Sequence, residues 1–174
     1  MTVPDRKQTV LTGPHVAAFN ELDTVTLYGL LRLRVDVFVV EQRCPYPELD
    51  GKDLEPGTQH LWLEDAGTPS AYLRLLRQPD GLARIGRVCV AEKLRGTGAA
   101  KLLMRSALDL IGSQPSTLDA QAYLVGFYAG FGYAASGPEY MDDGIPHVPM
   151  ERAVTENRQG NELTSSATDR RRPV

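Results

Sequence analysis

Val88-Cys89-Val90-Ala91-Glu92-Lys93-Leu94-Arg95-Gly96-Thr97-Gly98-Ala99-Ala100-Lys101 decides how this chain is read. A strand-like apolar run ends at Val90, a glycine-rich turn follows, and an amphipathic helix is predicted from Ala99 to Ile111. Strand, turn and helix start in this order gather several backbone N–H groups on one side. The first N–H groups of a helix lack intrahelical partners, and the helix dipole favours an anion there. Gly96 and Gly98 permit positive φ and keep side chains out of a ligand's way. Arg95 adds a charge at the mouth. The turn predicts a phosphate-bearing ligand.

Three phosphate-binding patterns compete for it. A Walker loop requires Lys-Ser/Thr after its last glycine, and here Lys101 follows Ala100 and precedes Leu102. A dinucleotide-binding fingerprint requires a third glycine where Lys101 stands, and its strand opens a βαβ unit instead of following other strands. The coenzyme A pyrophosphate loop, Arg/Gln-x-x-Gly-x-Gly/Ala, is satisfied in full by Arg95 to Ala100.

Outward from the turn, the pattern is one of strands first and then strand, helix, strand. A short strand is expected over Val16–Phe19. A helix capped by Asp23 follows, from Thr24 to about Val40, with Leu27, Leu30, Leu31, Val35 and Phe38 at helical spacing. Pro45 and Pro47 break regular structure, and a long loop runs to Thr58. His60–Glu64, Ala71–Leu76 and Ala83–Val90 read as a meander turning at Gly67-Thr68-Pro69 and Pro79-Asp80-Gly81. Thr117–Ala122, Tyr133–Ser136 and Val148–Arg152 read as further strands, with a short helix over Val125–Ala129. The arrangement implies a mixed α/β sheet in one domain over residues 14–152, with polar, disordered tails at 1–13 and 153–174.

The order and spacing of four segments resemble the GNAT superfamily of N-acetyltransferases. Besides the Arg95–Ala100 loop these are Gly86-Arg87-Val88-Cys89-Val90-Ala91, Phe127-Tyr128-Ala129-Gly130-Phe131-Gly132-Tyr133 and an early Arg34 to Gln42 segment. That early segment, followed by Tyr46, Glu48, Asp50 and Asp53, is similar to an ElaA-like subgroup, as is Asp143-Gly144-Ile145-Pro146-His147. The resemblance implies a mixed sheet splayed at its centre and flanked by helices, with acetyl-coenzyme A in the opening. The backbone of Val88 and Val90 would pair with the pantetheine amides as an added strand does. The N–H groups of Gly96, Thr97, Gly98, Ala99 and Ala100, with Arg95, would hold the pyrophosphate. An N–H near Cys89 or Val90 would face the oxyanion, given a strand bulge.

Acetyl transfer to a primary amine by direct attack needs a deprotonated amine, although a lysine-like amine has a pKa of about 10.4. It also needs donors to the oxyanion of the tetrahedral intermediate and a proton for the departing thiolate. Tyr128 either packs with Phe127 and Phe131 or, as the resemblance implies, gives that proton. Cys89 as an acyl-carrying nucleophile is weighed against Cys89 as a buried strand residue. His147, in a constrained turn, is assigned as a catalytic base. Glu41, Glu48, Asp50, Asp53 and His60 stand as alternatives, and ordered water is a further one. Seven acidic residues between Glu41 and Asp65 face only Arg43 and Lys52. This excess predicts attraction for a cationic amine, small or protein-borne, with Glu41 and Asp50 as its contacts. Tyr46 and Trp62 are read as acceptor contacts or as packing.

The net charge of −3 argues against a nucleic-acid partner, and Arg170-Arg171-Arg172 reads as a solvated tail end. No membrane-spanning run or signal peptide is read, so a cytoplasmic monomer or homodimer is expected. Cys44 and Cys89 have no metal-ligand spacing, and no metal is expected. Two rivals remain: a non-catalytic acyl-coenzyme A sensor and an acyl-homoserine-lactone synthase, the latter echoed by Arg34-Val35-Asp36-Val37-Phe38 and Asp50.

Overall fold

The computed structural model describes residues 11–153. The expected tails lie outside the described residues except for Leu11–Gly13 and Ala153. Leu11–Gly13 are not tail: they begin the first strand, β1 (Leu11–Ala17), which pairs antiparallel with β2 (Gln59–Asp65). The strand ends before Phe19, which sits in a short 3₁₀ turn. β3 (Thr68–Arg77) and β4 (Ala83–Val90) complete the antiparallel meander, and Ala83–Val90 has the predicted boundaries.

Helix α1 (Thr24–Arg34) starts where the sequence places it. The Asp23 carboxylate accepts the N–H groups of Val25 and Thr26, each at 2.9 Å. The predicted continuation to Val40 is instead a π-helical segment, Val35–Glu41. Val35, Val37, Val39 and Val40 crowd the preceding turn of a regular α-helix, and the wider winding accommodates them. After β4, α2 (Ala99–Ile111), β5 (Ser116–Gln121), α3 (Val125–Ala129), β6 (Ala134–Ala135), β7 (Tyr140–Asp142) and β8 (Ile145–Arg152) follow. Strand β7 is absent from the sequence reading. Asp143 and Gly144, at φ 46° and 81°, form the two-residue turn that pairs it with β8.

All eight strands form one sheet, in the order β1-β2-β3-β4-β5-β8-β6, with β7 also on β8. Alternation sorts the two faces. Leu61, Leu63, Leu73, Leu75, Ala83 and Ile85 pack against Leu103, Met104, Ala107 and Ile111 of α2. Trp62, Tyr72 and Cys89 turn the other way, to Leu30, Leu33 and Val37.

Two irregularities shape the centre. β4 and β5 run parallel but pair only at Ala83–Ser116 and Arg84–Thr117, and beyond Arg84 they part. The register between β3 and β4 shifts, so that Leu73 opposes both Arg87 and Val88. This is a β-bulge, with Arg87 at φ 54°.

The loop between the π-helical segment and β2 has little regular structure and is held by charge. Arg34, 1% exposed, donates from Nε to Glu48 Oε1 at 2.6 Å and from Nη1 to Asp53 Oδ1 at 2.7 Å. Its Nη2 donates to the Glu48 carbonyl at 3.2 Å. Burial opposes the Arg34 charge, but the Asp53 and Glu48 carboxylates hold the guanidinium strongly protonated. Removing one partner of such a group strands buried charge. Arg34→Ala should cost about 3–5 kcal/mol in urea unfolding. A loss within that expected for a surface residue contradicts this role.

Candidate active site

The glycine turn forms as the sequence implies. Gly96 and Gly98 lie at φ 77° and 92°, and a Cβ at either would meet nothing within 4 Å. Backbone conformation, not crowding, therefore demands glycine at both. The first α2 bond runs from Leu102 N–H to Gly98 O at 3.0 Å. The N–H groups of Ala99, Ala100 and Lys101 are thus free of helical partners. Thr97 departs from expectation: its N–H bonds to Leu94 O at 3.3 Å and its hydroxyl donates to the same oxygen at 2.6 Å. Its amide fixes the turn, and Lys101, unassigned from sequence, takes its place in the row of free donors.

Arg95 also differs from the sequence reading. Its Nε donates to Val90 O at 3.1 Å, and its two Nη atoms each meet a Glu41 carboxylate oxygen at 2.7 Å. That hydrogen bonding holds the Glu41 carboxyl below its ordinary pKa. The carbonyl of Val90 is therefore engaged by Arg95 in this structure. Its N–H is placed differently. Ala91 N–H bonds to Ser70 O of β3 at 2.8 Å, so the preceding Val90 N–H points away from β3, into the gap between β4 and β5.

That gap opens a cavity of about 680 Å³. Val88, Cys89, Val90, Arg95 and Ala100 line it on the side of the turn, and the same cavity reaches Tyr128, Asp50 and His147. The structure thus joins both assigned catalytic residues and both assigned acceptor carboxylates in one space with Arg95 and Ala100, whereas Gly96, Thr97, Gly98 and Ala99 between those two do not line it. Gln42 and Gln121 exchange amide hydrogen bonds at 3.2 and 3.4 Å across it, from the π-helical segment to β5. Cys44 Sγ donates to the Asp143 carbonyl at 3.3 Å.

Tyr128 is buried on α3, edge-on to Phe127 with ring centroids 5.0 Å apart. Its hydroxyl has no hydrogen-bond partner among the described residues, and burial pushes its pKa up, which keeps the phenol protonated. Cys89 faces the α1 core, and burial raises its thiol pKa far above neutrality. A buried neutral thiol is a poor nucleophile, which favours the packing reading of Cys89. His147, on β8 opposite Gln121, points Nδ1 at the Ile145 carbonyl at 2.9 Å. A carbonyl only accepts, so Nδ1 carries the proton and a neutral ring keeps its lone pair on Nε2.

Of the other candidates, His60 and Trp62 lie in the core and Tyr46 lies at the cavity. His60 is buried between the Tyr72 hydroxyl, 2.8 Å from Nδ1, and the Asp53 carbonyl, 3.4 Å from Nε2. It does not line the cavity, and burial lowers its pKa. Trp62 is a core residue whose Nε1 donates to Glu64 at 3.0 Å. Tyr46 lines the cavity and bonds Glu48.

The expected acidic wall is largely neutralised. Glu48 and Asp53 hold Arg34, Asp65 meets Lys93 at 2.5 Å, and Glu41 is clamped by Arg95. Asp50 accepts from Arg74 Nη1 and Nη2, both at 2.8 Å, and lies 3.4 Å from Arg87 Nη2. Arg74 Nη1 also reaches Asp53 at 3.0 Å. Arg87 Nε stands 2.7 Å from Glu48 Oε2 but off its N–H axis, so charge attraction more than an aligned hydrogen bond holds it. Arg74 and Arg87 were not singled out in the sequence. A charged residue at the inward position of Tyr72-Leu73-Arg74-Leu75-Leu76 is the signal for the first. The bulge that turns Arg87 leaves no sequence signal.

Comparison with known proteins agrees with this geometry. The acetyltransferase (GNAT) domain family matches residues 34–154. The chain belongs to the GNAT acetyltransferase family. It is 51% identical over 137 residues to a UPF0039 protein of Mycobacterium tuberculosis, covering 76% of this chain and 88% of that one. It is 43% identical over 143 residues to Escherichia coli protein ElaA, covering 78% and 92%. Among solved structures it is similar to an acyl-CoA N-acyltransferase from Pseudomonas aeruginosa, at TM-score 0.76 and 40% identity over 84% of this chain and all of that one. The family assignment makes the chain an acyltransferase, and GNAT enzymes use acetyl-coenzyme A and amine acceptors. The open β4–β5 gap and the free amides of α2 suit such a coenzyme. The four segments that resembled GNAT proteins thus identify the family, its ElaA relatives and the splayed mixed sheet. Among the described residues no helix is long and apolar enough to cross a membrane.

The ion pairs of the site carry a pH signature. Burial raises the Asp50 pKa, but the hydrogen bonds and charge of Arg74 override it and hold the carboxyl at about 2, from an ordinary 3.8. A depressed carboxyl stabilises the fold fully above its unfolded pKa and loses that contribution as pH falls through the folded one. Stability measured by urea unfolding should therefore fall as pH drops from 3.8 towards about 2. Asp50→Asn should flatten that fall, and an unchanged slope contradicts the pairing.

Proposed function

We propose that this protein transfers an acetyl group from acetyl-coenzyme A to a primary amine by direct attack, with Tyr128 as acid and His147 as base. The observation that carries the reading is a single cavity lined by Arg95 and Ala100, which flank the glycine turn, by the free edge of β4, by a tyrosine whose hydroxyl has no partner among the described residues and by a histidine with a fixed tautomer. The bound coenzyme supplies an activated acyl thioester. The N–H groups of Gly96, Gly98, Ala99, Ala100 and Lys101 hold its diphosphate, and Arg95 leaves Glu41 to join them. The backbone of Val88 and Val90 aligns the thiol arm along the edge of β4.

His147 Nε2 takes a proton from the amine, and Nδ1–H stays on Ile145 O and fixes the ring plane. The Val90 N–H faces the carbonyl oxygen as charge develops there. As the N–C bond forms and the C–S bond breaks, Tyr128 gives its phenolic proton to sulfur, and the second proton shed by the acylated nitrogen balances the one the phenol gave up. The phenol is protonated at neutral pH and so has that proton to give.

Tyr128→Phe should lower kcat by about 100-fold, in the range of general acid catalysis, with the calorimetric Kd for acetyl-coenzyme A unchanged. Wild-type turnover in that variant removes Tyr128 from the mechanism. Cys89→Ala should retain acetyl transfer, measured by thiol release with a competent acceptor. A dead but folded Cys89→Ala protein would instead point to an acyl-thiol intermediate.

A further inference from the structure

The charges around the acceptor side of the cleft are sorted by wall. Lys52, Arg74, Arg84 and Arg87 line the side built from β3, β4 and the loop before β2. Asp119, Asp142 and Asp143 line the side built from β5 and the β7–β8 turn, which contributes no lysine or arginine among the described residues. Arg84 and Asp119 join across the closed end of the sheet and cancel. Arg34, Arg74 and Arg87 are balanced by Glu48, Asp50 and Asp53.

What remains is one cation on one wall of the cavity and two acids on the other. Lys52 Nζ has no carboxylate within 4.0 Å among the described residues, and neither Asp142 nor Asp143 has a cationic partner there. A second observation lies on the cationic wall. Arg74 is 2% exposed, lines the cavity, and its Nε–H has no acceptor. That donor lies behind the cavity surface, so the Arg74 charge is left incompletely hydrogen-bonded at the cationic wall. His147, with its lone pair on Nε2, lies on the acidic side, where a nitrogen would lose its proton.

We infer that the acceptor is a small dipolar amine, an α-amino acid or close relative, whose carboxylate faces Lys52 on the wall that Arg74 and Arg87 help to build and whose nitrogen faces Asp142, Asp143 and His147. The assignment rests on the acetyl-transfer reading and narrows its substrate. A polyamine places a second cation against Lys52. A protein N-terminus offers a neutral peptide group where the carboxylate belongs. Charge on both walls steers and orients a molecule with opposite charges at its ends.

The test measures thiol release from acetyl-coenzyme A with each proteinogenic α-amino acid, its α-amide and its decarboxylated amine. The free acid should win over its amide by about 10- to 100-fold in kcat/KM, the range of a charge-assisted hydrogen bond. Lys52→Ala should raise KM for the acid by about 10-fold and narrow the gap to the amide, with the calorimetric Kd for acetyl-coenzyme A unmoved. Equal or faster turnover of amides or polyamines overturns the inference and leaves acetyl transfer standing. So does a Lys52→Ala variant that keeps the full preference. Thiol release from none of the panel, with the coenzyme bound, also overturns it. Failure to bind acetyl-coenzyme A overturns acetyl transfer itself.

Discussion

The parting of β4 from β5 beyond Arg84 is the constraint on which the rest depends. Two parallel strands that stay paired leave no room between them and no free donors along their edges. Once they diverge, the edge of β4 beyond Arg84 has backbone groups with no strand to meet. Such groups are costly when buried without partners, so they call for water, a side chain or a ligand. In this structure Arg95 occupies one of them, the Val90 carbonyl, while its guanidinium reaches Glu41. The bulge at Arg87–Val88 adds local twist on the other edge of the same strand, and it turns Arg87 towards Glu48 and Asp50.

The opening needs walls that do not collapse into it. On one face α2 supplies a dry core. On the other, the loop after the π-helical segment is pinned by alternating guanidinium and carboxylate groups, from Arg34 through Asp53 and Arg74 to Asp50 and Arg87. A buried ionic lattice adds little net stability compared with an apolar core, but it fixes direction, because each planar guanidinium donates its N–H groups along fixed directions. An apolar filling of this face would give a smoother wall without charge. The lattice holds polar groups at the cavity surface in a fixed arrangement, at the place where an acceptor must be oriented.

Much of the frame was legible in the residues. The alternation of Ala83–Val90, the glycine turn and the amphipathic period of Ala99–Ile111 are local signals, and their boundaries agree with the structure. The Asp23 cap was legible for the same reason. The π-helical segment was not, since a run of valines argues only against a regular helix and does not name its replacement. Strand β7 was missed because three residues carry too little pattern, although Asp143-Gly144 is a hairpin signal. At the site, Tyr128 was assigned by family pattern and His147 by its constrained turn, while the partners of Glu41, Asp50 and Arg95 were not legible, because ion pairing joins residues far apart in the chain. The acidic excess between Glu41 and Asp65 looked like a field for a cation until those partners appeared.

The most direct measurement follows the backbone amide resonances of Gly96, Gly98, Ala99, Ala100, Lys101 and Val90 as acetyl-coenzyme A is added. The account predicts saturable shifts concentrated at these amides, with Thr97, whose N–H is bonded within the turn, moving less than its neighbours. Shifts confined to other surfaces, with this row unmoved at saturation, would contradict it.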